Sequence, residues 1–350
     1  MKQKKIRDYG IIIGCMPIGR NNSITDVEGV LVGHHTINDG DIKTGVTAVL
    51  PHPGNTFREK VVASSHVING FGKTAGTIQV EELGTIETPI ILTNTLSVGT
   101  AYDALVEYMI SRNDDIGVRT GTVNPVVCEC NDGFLNDIRG RHVKREHVLE
   151  SIENASAMFD EGAVGAGTGM SCLGLKGGIG SASRIVRLDG KDYTLGVLVL
   201  SNFGAKEDLT IDGIKAGKII WQEIGGKEED KGSIITIIAT DIPLSERQLK
   251  RVTKRAAIGL CRTGSFMGNG SGDIVIAFST ANKVKHYEDK DIVNFRIINE
   301  DRINDVFRAA AEATEEAVLN SLICSEETVG RDGHVKHSLK DYIYLIKPFE

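Results

Sequence analysis

Apolar runs of strand length recur along the chain, at 29–33 (GVLVG), 46–50 (VTAVL), 89–94 (PIILTN), 125–130 (PVVCEC), 194–201 (TLGVLVLS), 233–240 (SIITIIAT) and 273–279 (DIVIAFS). Several are apolar throughout instead of alternating, the pattern of strands covered on both faces. Between them lie segments with apolar positions three and four apart, which predict helices over 100–112, 144–159, 245–262 and 304–322. Ser245 with Gln248 three residues on has the spacing of a capping box. Helices and buried strands intermix over the whole length, without a fixed-period repeat. The stretch 222–232 (QEIGGKEEDKG) breaks the pattern: glycine-rich and highly charged, it reads as an exposed loop.

Composition adds limits. The 350 residues are 41% hydrophobic, enough for a large core. Forty glycines against seven prolines, spread between the apolar runs, predict many tight turns and close backbone contacts. The net charge of −7 and 5% aromatic content give no basic, aromatic-studded surface, so nucleic acid is not an expected partner. No apolar run reaches the length of a membrane span, and Ile11-Ile12-Ile13 is too short for the core of a signal peptide. A cytoplasmic location is the expectation. Six scattered cysteines read as buried thiols, not as a disulfide framework.

Several chemistries fail on spacing. Gly72-Lys73-Thr74 resembles the end of a phosphate loop, but the glycine required five residues earlier is Val67. Residues 165–170 (GAGTGM) lack the dinucleotide fingerprint. His34-His35 and Cys128-x-Cys130 have no second pair to complete a metal set, and no G-x-S-x-G elbow occurs. What remains favours a nucleophile that works without histidine.

Gly232-Ser233 offers one. The charged loop ends there and a buried strand begins. If the chain cut itself at this bond, Ser233 would become an N-terminus, its hydroxyl the nucleophile and its own α-amine the base, at a pKa of about 7.7–8. An ordinary Gly-Ser turn has the same sequence. Two other segments share this site-like character. Asn202 ends an apolar strand, where an amide can donate to an oxyanion or simply form a turn. Ser271 and Asp273, two apart at the entry to a strand, share one face.

With these segments in order, the chain resembles the L-aminopeptidase/D-esterase family, DmpA-like proteins that include the β-peptidyl aminopeptidases. The likeness runs through 23–36 (SITDVEGVLVGHHT), 69–104, 128–140 (CECNDGFLNDIRG), 162–184 (GAVGAGTGMSCLGLKGGIGSASR), 232–249, 262–280 (RTGSFMGNGSGDIVIAFST) and 329–333. The resemblance implies an α/β (α+β) fold, a four-layer α/β/β/α sandwich of the ornithine acetyltransferase-like kind. It implies a single domain over 1–350, cleaved into an α chain, 1–232, and a β chain, 233–350. Ser233 would carry acyl transfer, Asn202 would hold the oxyanion, and Ser271 and Asp273 would assist. Glu129 would bind the substrate's free amino group. Asn131 stands where some members carry a tyrosine, and would bind substrate through its amide. The implied substrates are short peptides and amino-acid amides or esters. No metal or organic cofactor is implied, and the protomers would form a homotetramer. An acyltransferase on the same fold, or an unprocessed paralogue that only binds a small ligand, are the alternatives.

Overall fold

The computed structural model describes residues 3–225 and 232–346. The charged run 227–231 lies outside the described residues. In chain order the first half supplies strands β1 (Leu31–Asp39), β2 (Ile42–Leu50) and β3 (Glu59–Gly70), helix α1 (Thr77–Leu83), β4 (Thr85–Ile86), β5 (Ile90–Asn94), α2 (Val98–Ile110), β6 (Val126–Cys130) and α3 (Arg145–Glu153). The second half supplies β7 (Ser171–Cys172), β8 (Leu175–Lys176), β9 (Gly178–Leu188), β10 (Lys191–Asn202), α4 (Ala216–Ile224), β11 (Ser233–Thr240), α5 (Glu246–Thr253), α6 (Ala256–Arg262), β12 (Gly272–Lys285), α7 (Ile303–Ile323), β13 (Thr328–Val329), β14 (Val335–Lys336) and α8 (Ile343–Ile346).

Two sheets form the centre. One has the order β1-β2-β5-β6, the other β4-β3-β12-β11-β10-β9. Alternation along β11 explains their stacking. Ile235, Ile237 and Ala239 enter the core between the sheets with Val32, Leu92, Cys128, Leu198 and Ile276. Ile234 and Ile238 point the other way, into a core with Leu249, Leu260 and Val318 of α5, α6 and α7. On the far side of the smaller sheet, Ala48 and Ile91 pack against Ala101 and Leu105 of α2 and Val148 of α3. The result is four layers, helix, sheet, sheet, helix. The uniformly apolar strands are those with a covered layer on each face.

Within the larger sheet, β11 and β12 are parallel and joined by α5 and α6, while β10 and β3 flank them antiparallel. Ser245 and Gln248 form the reciprocal cap that starts α5. The helical stretch 245–262 divides at Lys254-Arg255. The second piece turns onto α7, where a β-carbon at Gly259 would sit 2.6 Å from the Ala311 carbonyl oxygen. The helix predicted over 144–159 stops at Glu153, because Ser156 leaves it to pair with Val32 at the edge of β1. The loop predicted from 222 begins later: Gln222 to Ile224 complete α4, closed by Gly225. Cys128, Cys130, Cys172 and Cys324 are buried thiols, whereas Cys15 and Cys261 are exposed, so the expectation of buried cysteines holds for four of six.

A buried ionic cluster ties α7 to β9. Arg184 Nε lies 3.1 Å from Glu312 and its Nη2 2.7 Å from Glu316, while Arg7 Nε lies 2.6 Å from Glu316. Asn22 adds an amide donor to Glu316. Charges taken from water this completely persist only when paired and hydrogen-bonded. Among the described residues no helix is long and apolar enough to cross a membrane.

Candidate active site

The ends of three strands line up at one edge of the larger sheet. Asn202, last in β10, pairs with Ser233, first in β11; Ser233 pairs in turn with Gly272, first in β12. The Gly272 amide donates to Ser233 Oγ at 3.1 Å. Residue 272 has to be glycine, because a β-carbon there would meet the Phe71 carbonyl at 2.8 Å and Gly72 Cα at 2.9 Å. Ser271 and Asp273 bracket this glycine, and the Ser271 hydroxyl donates to the Asp273 carboxylate. The pair thus meets as its spacing predicts, with the link to the Ser233 hydroxyl running through the intervening amide. Asn69 turns its amide toward the carbonyls of Gly268, Asn269 and Ser271, fixing the loop that leads into β12.

The Asn202 side chain is clamped from both ends. Its Oδ1 accepts from the Ser171 amide at 2.9 Å, and its Nδ2 donates to the Asn131 carbonyl at 2.9 Å. A backbone N–H can only donate and a carbonyl only accept, so the amide has one orientation. One Nδ2 hydrogen then remains beyond the bond to Asn131. The Asn131 side chain itself is exposed, and its Oδ1 accepts from Gly133 in a local turn. Its contribution at the site is thus the main-chain carbonyl.

Glu129 comes from the smaller sheet. Cys128 and Cys130 on either side of it enter the inter-sheet core. The buried Glu129 carboxylate accepts from the Lys73 amide at 2.8 Å and from the Thr95 hydroxyl. Segment 71–75 crosses from β3 to pair with β6 at Ala75 and Val127, which carries Gly72 between the two sheets. A β-carbon at Gly72 would lie 3.6 Å from Gly272 Cα and 3.7 Å from Glu129 Oε1. Gly72 thus sits between the Glu129 carboxyl group and Gly272, the strand partner of Ser233. Gly72-Lys73-Thr74, weighed in the sequence as a phosphate loop, directs a main-chain amide at a carboxylate instead.

Burial, with the charges of Glu129 and Asp273 added, pushes the Cys130 thiol far above its ordinary range. Burial likewise pushes Cys128 up to about 12. Neither is a thiolate nucleophile near neutral pH. The histidine pair is also engaged elsewhere. His34 Nε2 donates to the Asp160 carbonyl at 3.1 Å, and its Nδ1 lies 2.9 Å from the Thr47 hydroxyl, which accepts from the Ala166 amide at 3.1 Å. Desolvation lowers its pKa to about 4. His35 stacks on His147 and pairs with Glu150. A cavity of about 340 Å³ lined by His52, Tyr108 and Arg112 contains none of the residues around Ser233.

Thr95 and Asn69 do not stand out in the sequence, and Lys73 does so only within the failed phosphate-loop match. Thr95 directly follows the strand 89–94, and only the pairing of β5 with β6 places it against Glu129.

With this geometry established, comparison with known proteins decides the family. The model of peptidase family S58 matches residues 22–336. The chain belongs to peptidase family S58. It is a hydrolase of the aminopeptidase class. It is 41% identical over 354 residues to the β-peptidyl aminopeptidase BapA of Sphingosinicella microcystinivorans, covering 94% of this chain and 88% of that one. Among solved structures it is similar to the PH0078 protein of Pyrococcus horikoshii OT3, with a TM-score of 0.94, 55% identity and 98% of each chain covered. The L-aminopeptidase D-Ala-esterase/amidase of Ochrobactrum anthropi gives a TM-score of 0.89 at 37% identity, with 95% of each chain covered. That enzyme is described as a prototype of the serine aminopeptidases and a variant of the Ntn hydrolase fold. The four-layer expectation is met, and an N-terminal serine nucleophile is consistent with the Ntn fold.

Proposed function

We propose that the protein cleaves itself between Gly232 and Ser233 and then removes N-terminal residues from short peptides and amino-acid amides or esters. The observation that carries this reading is the register of Ser233. It begins a central strand, with the Asn202 amide across from it on one side and the Gly272 amide on its hydroxyl from the other.

In the uncut chain the Ser233 hydroxyl attacks the Gly232 carbonyl carbon. The C–N bond breaks, the hydroxyl proton passes to the departing nitrogen, and Gly232 is left as an ester. That break frees the α-amine, and water then hydrolyses the ester to release the Gly232 carboxylate and restore the Ser233 hydroxyl. That amine then takes the hydroxyl proton in each turnover, at a pKa suited to neutral pH. Asn202 Nδ2 donates to the oxyanion, the step at which a fixed dipole helps most. Ser271 and Asp273 hold the backbone on the far side of Gly272. Glu129 receives the substrate ammonium, which sets the distance from the free amine to the scissile carbonyl. The Asn131 carbonyl serves by holding Asn202. Water attacking the acyl-enzyme completes hydrolysis. The names of the relatives, covering β-peptides, esters and amides, support a tolerant acyl site. Exposed Ile78 and Leu83 on α1 offer apolar surface for a homo-oligomer of processed protomers.

Intact-mass measurement tests the reading. Wild-type protein should give two fragments, the smaller beginning at Ser233, and Ser233→Ala a single 37.8 kDa chain without hydrolytic activity. Self-cleavage by Ser233→Ala would refute the assignment of the nucleophile.

A further inference from the structure

Lys176 is fully buried in the glycine-rich segment before β9, and the mechanism above does not use it. Its Nζ donates to three carbonyls, of Gly167 at 2.9 Å, Met170 at 2.9 Å and Gly177 at 2.7 Å. Those three bonds use all the donors of an ammonium group. They draw 167–177 into a closed loop, and the next residue after Met170 is Ser171, whose amide holds Asn202 Oδ1.

The other end of the Asn202 amide leads to the same place. Its Nδ2 is held by the Asn131 carbonyl, and Asp132 follows. Asp132 is also fully buried. Its Oδ1 accepts from Asn136 Nδ2 at 2.9 Å, and its carbonyl accepts from the Leu135 and Asn136 amides. Asn136 Oδ1 in turn accepts from the Lys43 amide at 3.0 Å, which anchors the turn to β2. The loop and the turn touch, for a β-carbon at Gly169 would lie 2.9 Å from Asp132 Cβ. The charges of Lys176 and Asp132 support each other across this contact. Burial works against both, drawing Lys176 down to about 7 and Asp132 up to about 7.

Both partners of the Asn202 amide are thus main-chain groups adjoining one buried pair. An ammonium is costly to take out of water, so its presence in such a place calls for a role beyond filling space. Apolar side chains would pack the loop without that cost.

We propose that Lys176, with Asp132, is a positioning residue for catalysis, fixing the loop and turn that aim Asn202 Nδ2 at the oxyanion. The inference rests on the reading of Asn202 as the oxyanion donor. It predicts that loosening the pair moves the donor without touching the ammonium site at Glu129.

Four variants test it: Lys176→Met, Asp132→Asn, Asn202→Ala and the double variant Lys176→Met/Asn202→Ala. For each, melting temperature, self-cleavage half-time by intact mass, and kcat and KM on an amino-acid amide are measured. Lys176→Met should lower kcat and slow self-cleavage by about ten- to a hundredfold, with KM within about twofold of wild type. The double variant should be no slower than Asn202→Ala, since the lysine acts through that amide. A folded Lys176→Met with unchanged kcat, or losses that multiply in the double variant, would overturn the proposal. If Lys176→Met does not fold, Asp132→Asn carries the test, because it keeps the volume and removes only the charge that supports the lysine ammonium. A fall in kcat at constant KM then supports the proposal, and unchanged kcat overturns it. Asn202→Ala separates the two levels. If it retains wild-type kcat, the oxyanion reading fails and takes the proposal with it; if it is impaired while Lys176→Met is not, only the role of the lysine fails.

Discussion

Replacing Gly232 with alanine probes self-cleavage at the scissile bond without touching the nucleophile. A β-carbon at 232 would lie 2.8 Å from the Asn202 carbonyl carbon and 2.9 Å from Phe203 Cα, and closer still to the Asn202 carbonyl oxygen. All three are backbone atoms of the segment leaving β10, so no side-chain rotation relieves the contact. The obstacle is the close approach of one backbone to another. Restoring ordinary carbon contacts of about 3.5–4.0 Å requires the 202–203 and 232–233 backbones to part by about 1 Å. That motion would carry the Gly232 carbonyl away from the Asn202 amide proposed to receive its oxyanion. A misplacement of about 1 Å costs on the order of a hundredfold in rate. Gly232→Ala protein, followed by intact mass from the end of synthesis, should therefore remain uncut about a hundred times longer than wild type. Whatever fraction is cut should hydrolyse an amino-acid amide with near wild-type kcat, because residue 232 is then a free chain end. Cleavage of Gly232→Ala at the wild-type rate, in a protein that melts normally, would refute the claim that this packing aligns the bond.

Three further outcomes follow from the geometry. Glu129→Gln keeps the shape that meets Lys73 and Thr95 but removes the anion, so KM for an amino-acid amide should rise by about ten- to a hundredfold, the equivalent of one charge-assisted hydrogen bond; steady-state kinetics that show KM unchanged would rule out ammonium binding there. Glu316→Gln leaves Arg184 and Arg7 facing a neutral group in the buried cluster and should cost about 3–5 kcal/mol in chemical denaturation; a loss under about 1 kcal/mol would mean that Glu312 alone satisfies both arginines. Burial draws the pKa of His34 down from its ordinary 6.5 to about 4 in the folded protein, so the unfolded chain takes up its proton first as pH falls. Its contribution to stability is complete above about 6.5 and is lost between there and about 4; denaturation of wild type and His34→Gln at pH 7.5 and 4.5 should show the steeper loss in wild type.

Much of the sandwich is legible in the sequence because its central strands are buried on both faces. The run 233–240 matches β11 residue for residue, and 304–322 lies within α7. The two longer strands of the larger sheet that escape the apolar pattern do so for different reasons. β9, GIGSASRIVRL, is rich in glycine and serine because α7 lies almost on its backbone: a β-carbon at Gly180 would meet Ser321 Cβ at 2.7 Å. β3 carries Ser64, Ser65, His66 and Asn69; the Ser65 hydroxyl donates to Glu81 of α1, and the Asn69 amide serves the loop before β12. The candidate site divides in the same way. Ser233, Asn202, Ser271 and Asp273 all sit at strand ends, where sequence reading places punctuation and chemistry together. Glu129 lies inside a strand, and only its resemblance to a family motif marks it. Thr95, Lys73 and Lys176 act through main-chain groups or across long loops, and periodicity carries no trace of such contacts. A lone lysine among the glycines and apolar residues of 173–180 is the one local sign of Lys176.

The interleaved order of the larger sheet decides what a cut at Gly232-Ser233 would produce. The second fragment would own β11 and β12; the first would own β10 and β9 on one side of them and β3 and β4 on the other. Every interstrand ladder that joins the fragments would survive the break, and the two strands of the second piece would stay clasped like a wedge in a split. Removed, that wedge would leave β3 and β10 as two raw edges, open to pairing with other chains. The nicked protein should consequently melt in one transition and resist separation short of denaturant, a single folded body with four chain ends.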